Sequence, residues 1–223
     1  MEKIIHQIWV GPYRMPRREK ELCRKMKEAH PDWEYMFWDD YEVSKLSMPQ
    51  NVRDSYDFYG NIHGYWEIGD YVAQADILRF FLVYNYGGVY LDVDFEVVKG
   101  LQPLHLEEYD AFICHHEDAR VETFPNGAMG SKKNQKLFEY IITNMKPNNH
   151  YTPHQFALQV RNYYGIDYKT STHHGDSGVL NLFKKDNIFY INYDKFHNEN
   201  CYHHALYSWS NEGKEMFKRG TYE

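Results

Sequence analysis

The sequence predicts an α/β fold, in which helices cover a central sheet, and the strongest evidence lies between residues 72 and 94. Apolar side chains recur at helical spacing over residues 72–86, and Gly87 and Gly88 then stop the helix. Residues 89–91 (Val-Tyr-Leu) are strand formers, so a buried strand follows at once. A second observation is the apolar run at residues 4–8, which predicts another strand near the N-terminus.

The other elements are predicted in order along the chain. A helix is expected from Pro16 to Ala29, because His30-Pro31 ends it, and residues 33–38 predict a second strand. Short helices are expected over residues 41–65, with Gly60 and Gly64 as breaks. The later elements are strands at 110–114 and 188–191, a loop and strand at 126–131, and helices at 134–145 and 153–164.

Two carboxylates follow the predicted strand at residues 89–91. Alternate side chains of an extended chain point the same way, so Asp92 and Asp94 would face one side, about 6 to 7 Å apart. Like charges at this distance are costly without a cation, and a hard divalent ion such as Mn²⁺ or Mg²⁺ matches their oxygen ligands. Asp-X-Asp triplets also occur in solvated turns, so the pair alone is compatible with either role.

A charged pair lies upstream in the predicted helix. Asp76 and Arg79 are three residues apart, on one helical face. A local ion pair is one interpretation. In the other, Arg79 contacts a phosphate or holds a site carboxylate, while Asp76 accepts a hydrogen bond from a sugar hydroxyl.

These segments resemble a known motif. Residues 75–79 (Ala-Asp-Ile-Leu-Arg) and 86–94 (Tyr-Gly-Gly-Val-Tyr-Leu-Asp-Val-Asp) are similar to glycosyltransferase family 32, the sugar transferases with a DXD sugar-binding region. The family pattern is Ser-Asp-x-x-Arg followed by Tyr-Gly-Gly-x-Tyr-x-Asp-x-Asp. The departure is Ala75 where serine is usual, which removes one possible hydroxyl contact. The family includes mannosyl-, galactosyl- and capsular polysaccharide transferases and is related to large glucosylating toxins.

A second similarity lies at the N-terminus. Residues 3–9 (Lys-Ile-Ile-His-Gln-Ile-Trp) resemble the opening strand of the family. A Trp in an apolar run is more often a core residue, but one at a strand end can stack on a nucleobase. The resemblance favours the second role, in which Trp9 stacks on the base and the backbone of Ile8 contacts the nucleotide. Tyr90 is expected in the same donor site.

A third similarity lies near the C-terminus, where a His is followed five residues later by Ser-Trp, at residues 203–209. Two carboxylates and a diphosphate leave room for one more ligand on a metal ion, and imidazole suits Mn²⁺ better than Mg²⁺. The family spacing selects His203 over His204 as that ligand, although adjacent histidines are also common surface residues. Ser208 and Trp209 would close over the donor diphosphate.

The resemblance implies a GT-A type, Rossmann-like nucleotide-sugar-binding domain over residues 1–223, with a mixed central sheet flanked by helices. Residues 1–100 would bind the nucleotide and residues 101–223 the acceptor. The implied activity is hexosyl transfer from a UDP- or GDP-linked sugar to a glycan or glycolipid acceptor, with retention of the anomeric configuration and with Mn²⁺ or Mg²⁺. The implied catalytic residues are Asp76, Arg79, Asp92 and Asp94, and the implied metal ligands are Asp92, Asp94 and His203.

Two further residues are candidates for sugar contacts. Asn126 could offer its carboxamide to a sugar hydroxyl, or form an Asn-Gly turn. Asp176 lies in a stretch, residues 175–180, that lacks the Thr-Gly-Pro turn of many relatives. It could reach the sugar pocket or face water.

Composition limits the partners and the compartment. The formal charge of −7, without a block of Lys or Arg, argues against a nucleic-acid partner. The three cysteines are widely spaced, which indicates neither a disulfide framework nor a zinc site. Neither a signal peptide nor an apolar run of about 20 residues is recognised, so a soluble, cytoplasmic enzyme is expected. The basic residues of helix 16–29 could make a peripheral contact with an anionic membrane or form a solvated face.

Two other classes of protein are compatible with parts of the pattern. One is a catalytically silent nucleotide- or sugar-binding module, and the other is a metal-dependent nucleotide-sugar hydrolase. Candidate site residues in three separated segments argue against the silent module, because binding alone needs no metal triad.

Overall fold

The computed structural model describes residues 1–61, 67–116, 123–149, 151–166 and 177–204. The strands in these ranges are β1 (Ile4–Ile8), β2 (Glu34–Trp38), β3 (Gly88–Leu91), β4 (Phe95–Val97), β5 (Ala111–His115), β6 (Ala128–Ser131), β7 (Ile188–Asn192) and β8 (Cys201–His203). The helices are α1 (Arg17–Ala29), α2 (Asp40–Ser44), α3 (Gln50–Asn61), α4 (Glu67–Tyr86), α5 (Lys136–Thr143), α6 (Pro153–Tyr164), α7 (Ser177–Lys185) and α8 (Tyr193–Glu199).

The central sheet contains six strands in the order β2-β1-β3-β6-β5-β7. Neighbouring strands are parallel except at β6, which runs antiparallel to both β3 and β5. The mixed sheet that the resemblance implied is therefore confirmed. The five strands that share one direction end at the same edge, and this is the edge at which α/β sheets bind ligands.

Helix α4 is the central helix on one face of the sheet. Its residues 77, 78 and 80–83 are almost completely buried, and they pack with α3, α5 and α6 in one apolar cluster. A helix that is apolar on nearly all sides is expected in such a position. A second cluster on the other face combines α1 with β3, β4 and β8.

The glycines that follow α4 end it as predicted. The backbone N–H of Gly87 donates to the oxygen of Val83, and Gly87 has a left-handed φ of 77°. Gly88 (φ 93°) is the first residue of β3, and a Cβ there would lie 2.5 Å from the main-chain oxygen of Ile4. The pair therefore both terminates the helix and lets β3 approach β1.

The predicted strands and helices are confirmed in type, with small differences at their ends, but one expected break is wrong. Helix α3 continues through Gly60 to Asn61. The absent side chain at Gly60 instead admits Gln74 of α4, whose Nε2 would lie 2.8 Å from an added Cβ. Gly64 lies outside the described residues.

Strands β4 and β8 form a separate two-stranded antiparallel sheet that the sequence did not predict. In this pair Phe95 lies opposite His203. The small sheet therefore brings the C-terminal part of the described chain back to the segment that follows β3. As for membrane insertion, no helix within the described ranges is both long and apolar enough to cross a bilayer.

His6 connects β1, β2 and the end of α4 inside the core. Its Nε2–H donates to the oxygen of Gly87 over 2.7 Å, and its Nδ1 accepts from the indole N–H of Trp38 over 3.1 Å. The indole can only donate, so the ring is a neutral tautomer with its hydrogen on Nε2. Burial lowers the pKa of His6 to about 4, although the bond to Gly87 opposes this shift.

We expect His6 to make the fold less stable as the pH falls from 7 to 5. The unfolded chain takes up a proton near pH 6.5, whereas the folded chain does so only near pH 4, so the unfolded state binds more protons in this window. The wild type should lose about 2 kcal/mol more unfolding free energy over this range than His6→Gln, which cannot titrate. Urea unfolding at both pH values measures this difference, and equal losses in the two proteins would contradict it.

Candidate functional site

Asp92 and Asp94 lie just beyond β3, at the edge where the parallel strands end. Strand β3 ends at Leu91, and the N–H of Phe95 donates to the oxygen of Asp92, which closes a turn. The predicted extended geometry for the two aspartates is therefore wrong. The turn, rather than strand alternation, directs their carboxylates toward a common partner, His203.

The guanidinium of Arg79 lies between two carboxylates. Its Nη2 is 3.0 Å from Asp76 Oδ1, and its Nη1 is 3.4 Å from Asp92 Oδ1. The group also covers the ring of Tyr90, with 4.6 Å from Cζ to the ring centroid. Arg79 therefore pairs with a second carboxylate besides Asp76, and its predicted contact with a phosphate stays a prediction. The local ion pair with Asp76 is part of the same arrangement.

Asn126 joins this group from the loop before β6. Its carboxamide donates to Asp76 Oδ1 (2.9 Å) and to the main-chain oxygen of Tyr151 (2.7 Å), while its own main-chain oxygen accepts from Arg79 Nη1 (2.9 Å). The sequence left two roles open for Asn126, a direct sugar contact or an Asn-Gly turn, and residues 126 and 127 do lie in a turn. In the structure it is nearly fully buried and orients Asp76 and Arg79 instead.

Asp76 and Tyr90 are both affected by their buried surroundings: the pKa of Asp76 changes, and the Tyr90 hydroxyl bonds a carboxylate. It raises the pKa of Asp76 to about 6, although the charge of Arg79 opposes the rise. The buried hydroxyl of Tyr90 donates to Asp92 Oδ1 over 2.6 Å. Tyr90 therefore lies behind Asp92 and orients that carboxylate.

Asp92, Asp94 and His203 form a compact cluster that could hold a metal ion. His203 Nε2 is 3.0 Å from Asp94 Oδ1 and 3.7 Å from Asp92 Oδ2, and one ligand atom from each residue lies within 4.8 Å of the others. Neighbouring ligands of an octahedral ion with bonds of about 2.1 Å are about 3 Å apart, so the separations suit Mn²⁺ or Mg²⁺.

Gly127 leaves space next to this cluster. Its main-chain oxygen accepts the N–H of Asp92 over 2.8 Å. A Cβ at this position would lie 2.6 Å from Asp92 Oδ2 and 3.6 Å from His203 Cε1. The glycine therefore allows the loop to pass close to both side chains.

His203, rather than His204, has a ring nitrogen that faces the carboxylates. The two ring nitrogens of His204 contact Arg18 (2.5 Å) and Glu96 (3.0 Å). Burial alone would lower the pKa of His203, but the hydrogen bond and charge of Asp94, together with Asp92, raise it above the usual value. His203 is therefore the one of the two adjacent histidines whose ring faces both aspartates, and its role as a metal ligand stays a prediction.

A pocket of about 480 Å³ opens on the α1 side of the sheet. Trp9 is half-buried in its wall, together with the loop after β1, one face of α1 and the end of β2. Cys23 also lines the pocket. Its Sγ lies 3.9 Å from the main-chain oxygen of Val93, the residue between Asp92 and Asp94 in the sequence. Ile8 is buried directly before Trp9.

Three predicted site residues, Ser208, Trp209 and Asp176, lie outside the described residues.

The basic face of α1 is partly neutralised, because Arg24 pairs with Glu21 and Glu28, and Arg18 contacts His204.

Comparison with known proteins identifies the class to which this site belongs. Residues 16–113 match the family model described as "Glycosyltransferase sugar-binding region containing DXD motif". The chain is 31% identical over 146 residues to inositol phosphoceramide mannosyltransferase 2 of Schizosaccharomyces pombe, covering 66% of this chain and 39% of the relative. It is 30% identical over 157 residues to mannosyl phosphorylinositol ceramide synthase SUR1 of Saccharomyces cerevisiae, covering 69% and 36%.

A solved structure shows the same fold. The PaToxG glycosyltransferase superposes with a TM-score of 0.55 at 20% identity, over 82% of this chain and 74% of that one. The fold is therefore of the GT-A type. The predicted resemblance to glycosyltransferases with a DXD-containing sugar-binding region, glycosyltransferase family 32, is therefore confirmed, and the chain spans about two fifths of the length of the yeast relatives named above.

The dual role of Asn126 makes a prediction about stability. Asn126→Ala leaves Asp76 Oδ1 and the oxygen of Tyr151 each short of one donor in a buried place, so the unfolding free energy should fall by about 2 kcal/mol. The matched control is Asn144→Ala, which removes an exposed amide and should change it by less than about 0.5 kcal/mol. Urea unfolding measures both variants. An equal loss of unfolding free energy in the two variants would show that the buried hydrogen bonds of Asn126 stabilise the fold no more than the exposed one of Asn144.

Proposed function

We propose that this protein is a metal-dependent glycosyltransferase that moves a sugar from a nucleoside-diphosphate donor to a hydroxyl group of a glycan or glycolipid. The observation that carries the proposal is the cluster of Asp92, Asp94 and His203, which Arg79 of the Arg79–Asp76 pair contacts through Asp92. A pocket lined by Trp9 lies on the α1 side of the same sheet. These groups supply what a nucleotide-sugar needs: a place for a cation on the diphosphate, acceptors for sugar hydroxyls and a wall for the base.

The metal ligands would be Asp94 and His203. Asp92 would bind the ion directly or through a water molecule, or would contact the ribose of the donor. The mixed oxygen and nitrogen donors favour Mn²⁺, with Mg²⁺ as the alternative. When bound, the ion acts as a Lewis acid that neutralises the charge developing on the leaving diphosphate. The Tyr90 hydroxyl would orient the Asp92 carboxylate, and the main-chain oxygen of Gly127 would hold the main chain of Asp92 through its N–H.

Asp76 would orient the donor sugar. Its bonds to Arg79 and Asn126 both converge on Oδ1, so Oδ2 is oriented by them and can accept from a sugar hydroxyl. Arg79 adds a fixed positive charge that requires no reorganisation during the reaction. Holding the sugar in this way lowers the entropy cost of the transfer step.

The pocket beside Trp9 would take the base. Its volume suits a nucleobase with part of the ribose, and the Trp9 ring in its wall can stack on any base. The backbone of Ile8 would contact the nucleotide. Ser208 and Trp209, from the resemblance, remain predicted contacts to the diphosphate, and Tyr90 would act through Asp92.

The family resemblance supports a retaining reaction. In a front-face substitution the leaving phosphate takes the proton of the acceptor hydroxyl, so no protein base is needed. One yeast relative is named an inositol phosphoceramide mannosyltransferase and the other a mannosyl phosphorylinositol ceramide synthase. These names make mannose the first sugar to test and a glycolipid the first acceptor. The division into a nucleotide part, 1–100, and an acceptor part, 101–223, and the cytoplasmic location remain predictions.

The decisive measurement is donor cleavage with a panel of UDP- and GDP-sugars, GDP-mannose among them, with and without Mn²⁺. We expect one donor to be turned over, the reaction to stop on chelation, and Asp94→Asn to be slower by about 100-fold or more, because the charge that holds the cation is lost. The control Asp54→Asn changes an exposed carboxylate on α3 and should keep the wild-type rate.

Each other outcome points to a different protein. If the enzyme releases free sugar, and adding glycolipid or glycan acceptors yields no transfer product, the protein is a hydrolase. Metal-dependent binding of a donor without turnover would identify a silent binding module. Turnover that survives both chelation and Asp94→Asn would remove the metal from the proposal.

Trp9→Leu tests the base pocket separately. Loss of aromatic stacking should weaken UDP or GDP binding by about 1 to 3 kcal/mol, roughly 5- to 150-fold. Tyr140→Leu, an aromatic substitution on α5 on the other face of the sheet, should leave binding unchanged. Isothermal titration calorimetry with free UDP and GDP measures both affinities. An unchanged affinity in Trp9→Leu would contradict the proposal that the base binds against Trp9.

A further inference from the structure

The His203 ring is supported on the side away from the carboxylates. Tyr193, the first residue of α8, brings its hydroxyl into hydrogen-bond contact with Nδ1 of His203. The two rings meet edge to face, at 6.2 Å and 87°. Burial raises the pKa of Tyr193, so its hydroxyl stays a neutral phenol that can either donate or accept.

The plane of the imidazole is fixed by a second neighbour. The fully buried ring of Phe95 stacks on His203 at 4.3 Å and 11°, and the same two residues are opposite each other in the β4–β8 pair. Stacking fixes the plane but leaves open which ring edge faces the carboxylates. The Tyr193 hydroxyl selects the edge, because it engages Nδ1 and leaves Nε2 3.0 Å from Asp94 Oδ1.

We propose that Tyr193 is a positioning residue for metal binding, which holds His203 with Nε2 toward the cation and accepts the hydrogen of Nδ1 when Nε2 is a ligand. This inference rests on the metal site proposed above. It adds a residue from α8, which neither the motifs nor the family model assign.

The chemistry of imidazole explains why such a partner is needed. A neutral ring carries one hydrogen, and a nitrogen that binds a metal carries none, so the hydrogen must be on Nδ1. A buried N–H without an acceptor is costly. Without the ion, Nε2 can carry the hydrogen toward Asp94 while the phenol donates to Nδ1. One hydroxyl therefore serves both states, which a carbonyl oxygen could not do.

His204 shows the contrasting arrangement within the same strand end. Arg18 and Glu96 contact its two nitrogens, which leaves neither of them directed at the aspartates. Adjacent histidines thus differ in their partners: one has a hydroxyl behind it and carboxylates in front, and the other links α1 to β4.

The test uses the full chain and Mn²⁺ alone, without nucleotide, with free Mn²⁺ measured by electron paramagnetic resonance. Tyr193→Phe removes one oxygen and keeps the ring, and it should weaken Mn²⁺ binding by about 10- to 100-fold. The matched control is Tyr190→Phe in β7, whose ring contacts are with His115 and Phe183, and it should bind as the wild type does. Circular dichroism confirms that all variants fold.

A double-mutant cycle distinguishes positioning from general support. If Tyr193 acts through His203, Tyr193→Phe has no further effect on Mn²⁺ affinity in a His203→Ala background. Equal weakening in both backgrounds, or an unchanged affinity in the single variant, overturns the inference while leaving the metal site intact. A wild type that does not bind Mn²⁺ overturns the inference together with the proposed metal site.

Discussion

The buried guanidinium of Arg79 is the interaction that the rest of the site depends on. A charge removed from water is tolerated only when other charges and hydrogen bonds compensate it, and removing one member of such a group leaves the others uncompensated. Here Arg79 contacts Asp76, Asp92, the Tyr90 ring and the main chain of Asn126. It therefore ties helix α4, the turn after β3 and the loop before β6 into one unit. Together with Asn126 and Tyr90, this cation orients the carboxylates of Asp76 and Asp92.

The order of strands explains how distant segments reach that cation. Strands β3 and β7 end at the same sheet edge, which brings Asp92 near Tyr193 although about a hundred residues separate them. The antiparallel β6 begins at this edge, so Asn126 enters from the opposite chain direction. The β4–β8 pair then adds His203. No single segment contains the site, and the sheet topology assembles it.

Patterns over a few neighbouring residues were enough to predict the central helix α4, its end and the strand that follows. The apolar side chains of α4, the two glycines and the strand formers of β3 each act over a few residues. The motif match named Asp92, Asp94 and His203, and the fold brings these three side chains together. The β4–β8 pair was missed because three-residue strands show no periodicity that a sequence can reveal.

The supporting contacts depend on tertiary neighbours, and this explains the remaining differences. Asn126 was recognised as a polar residue near a sugar site, but only the fold shows that its amide is used by Asp76 and Tyr151. Tyr193 carried no signal, since one tyrosine after a strand is unremarkable among 21. Its role arises from the position of His203, ten residues later.

Gly127 has a consequence for how the sheet aligns during folding. The ladder pairs Leu91 with Ala128, and the next position along places Gly127 against Asp92, where there is space only for a hydrogen. A slip of β6 by one residue would present Asn126 or Ala128 at that position, and either Cβ would collide with the carboxylate. Short strands with small residues are prone to such slips. The glycine thus favours the observed alignment of β6 with β3, because a slipped strand would also have to displace the Asp92 carboxylate.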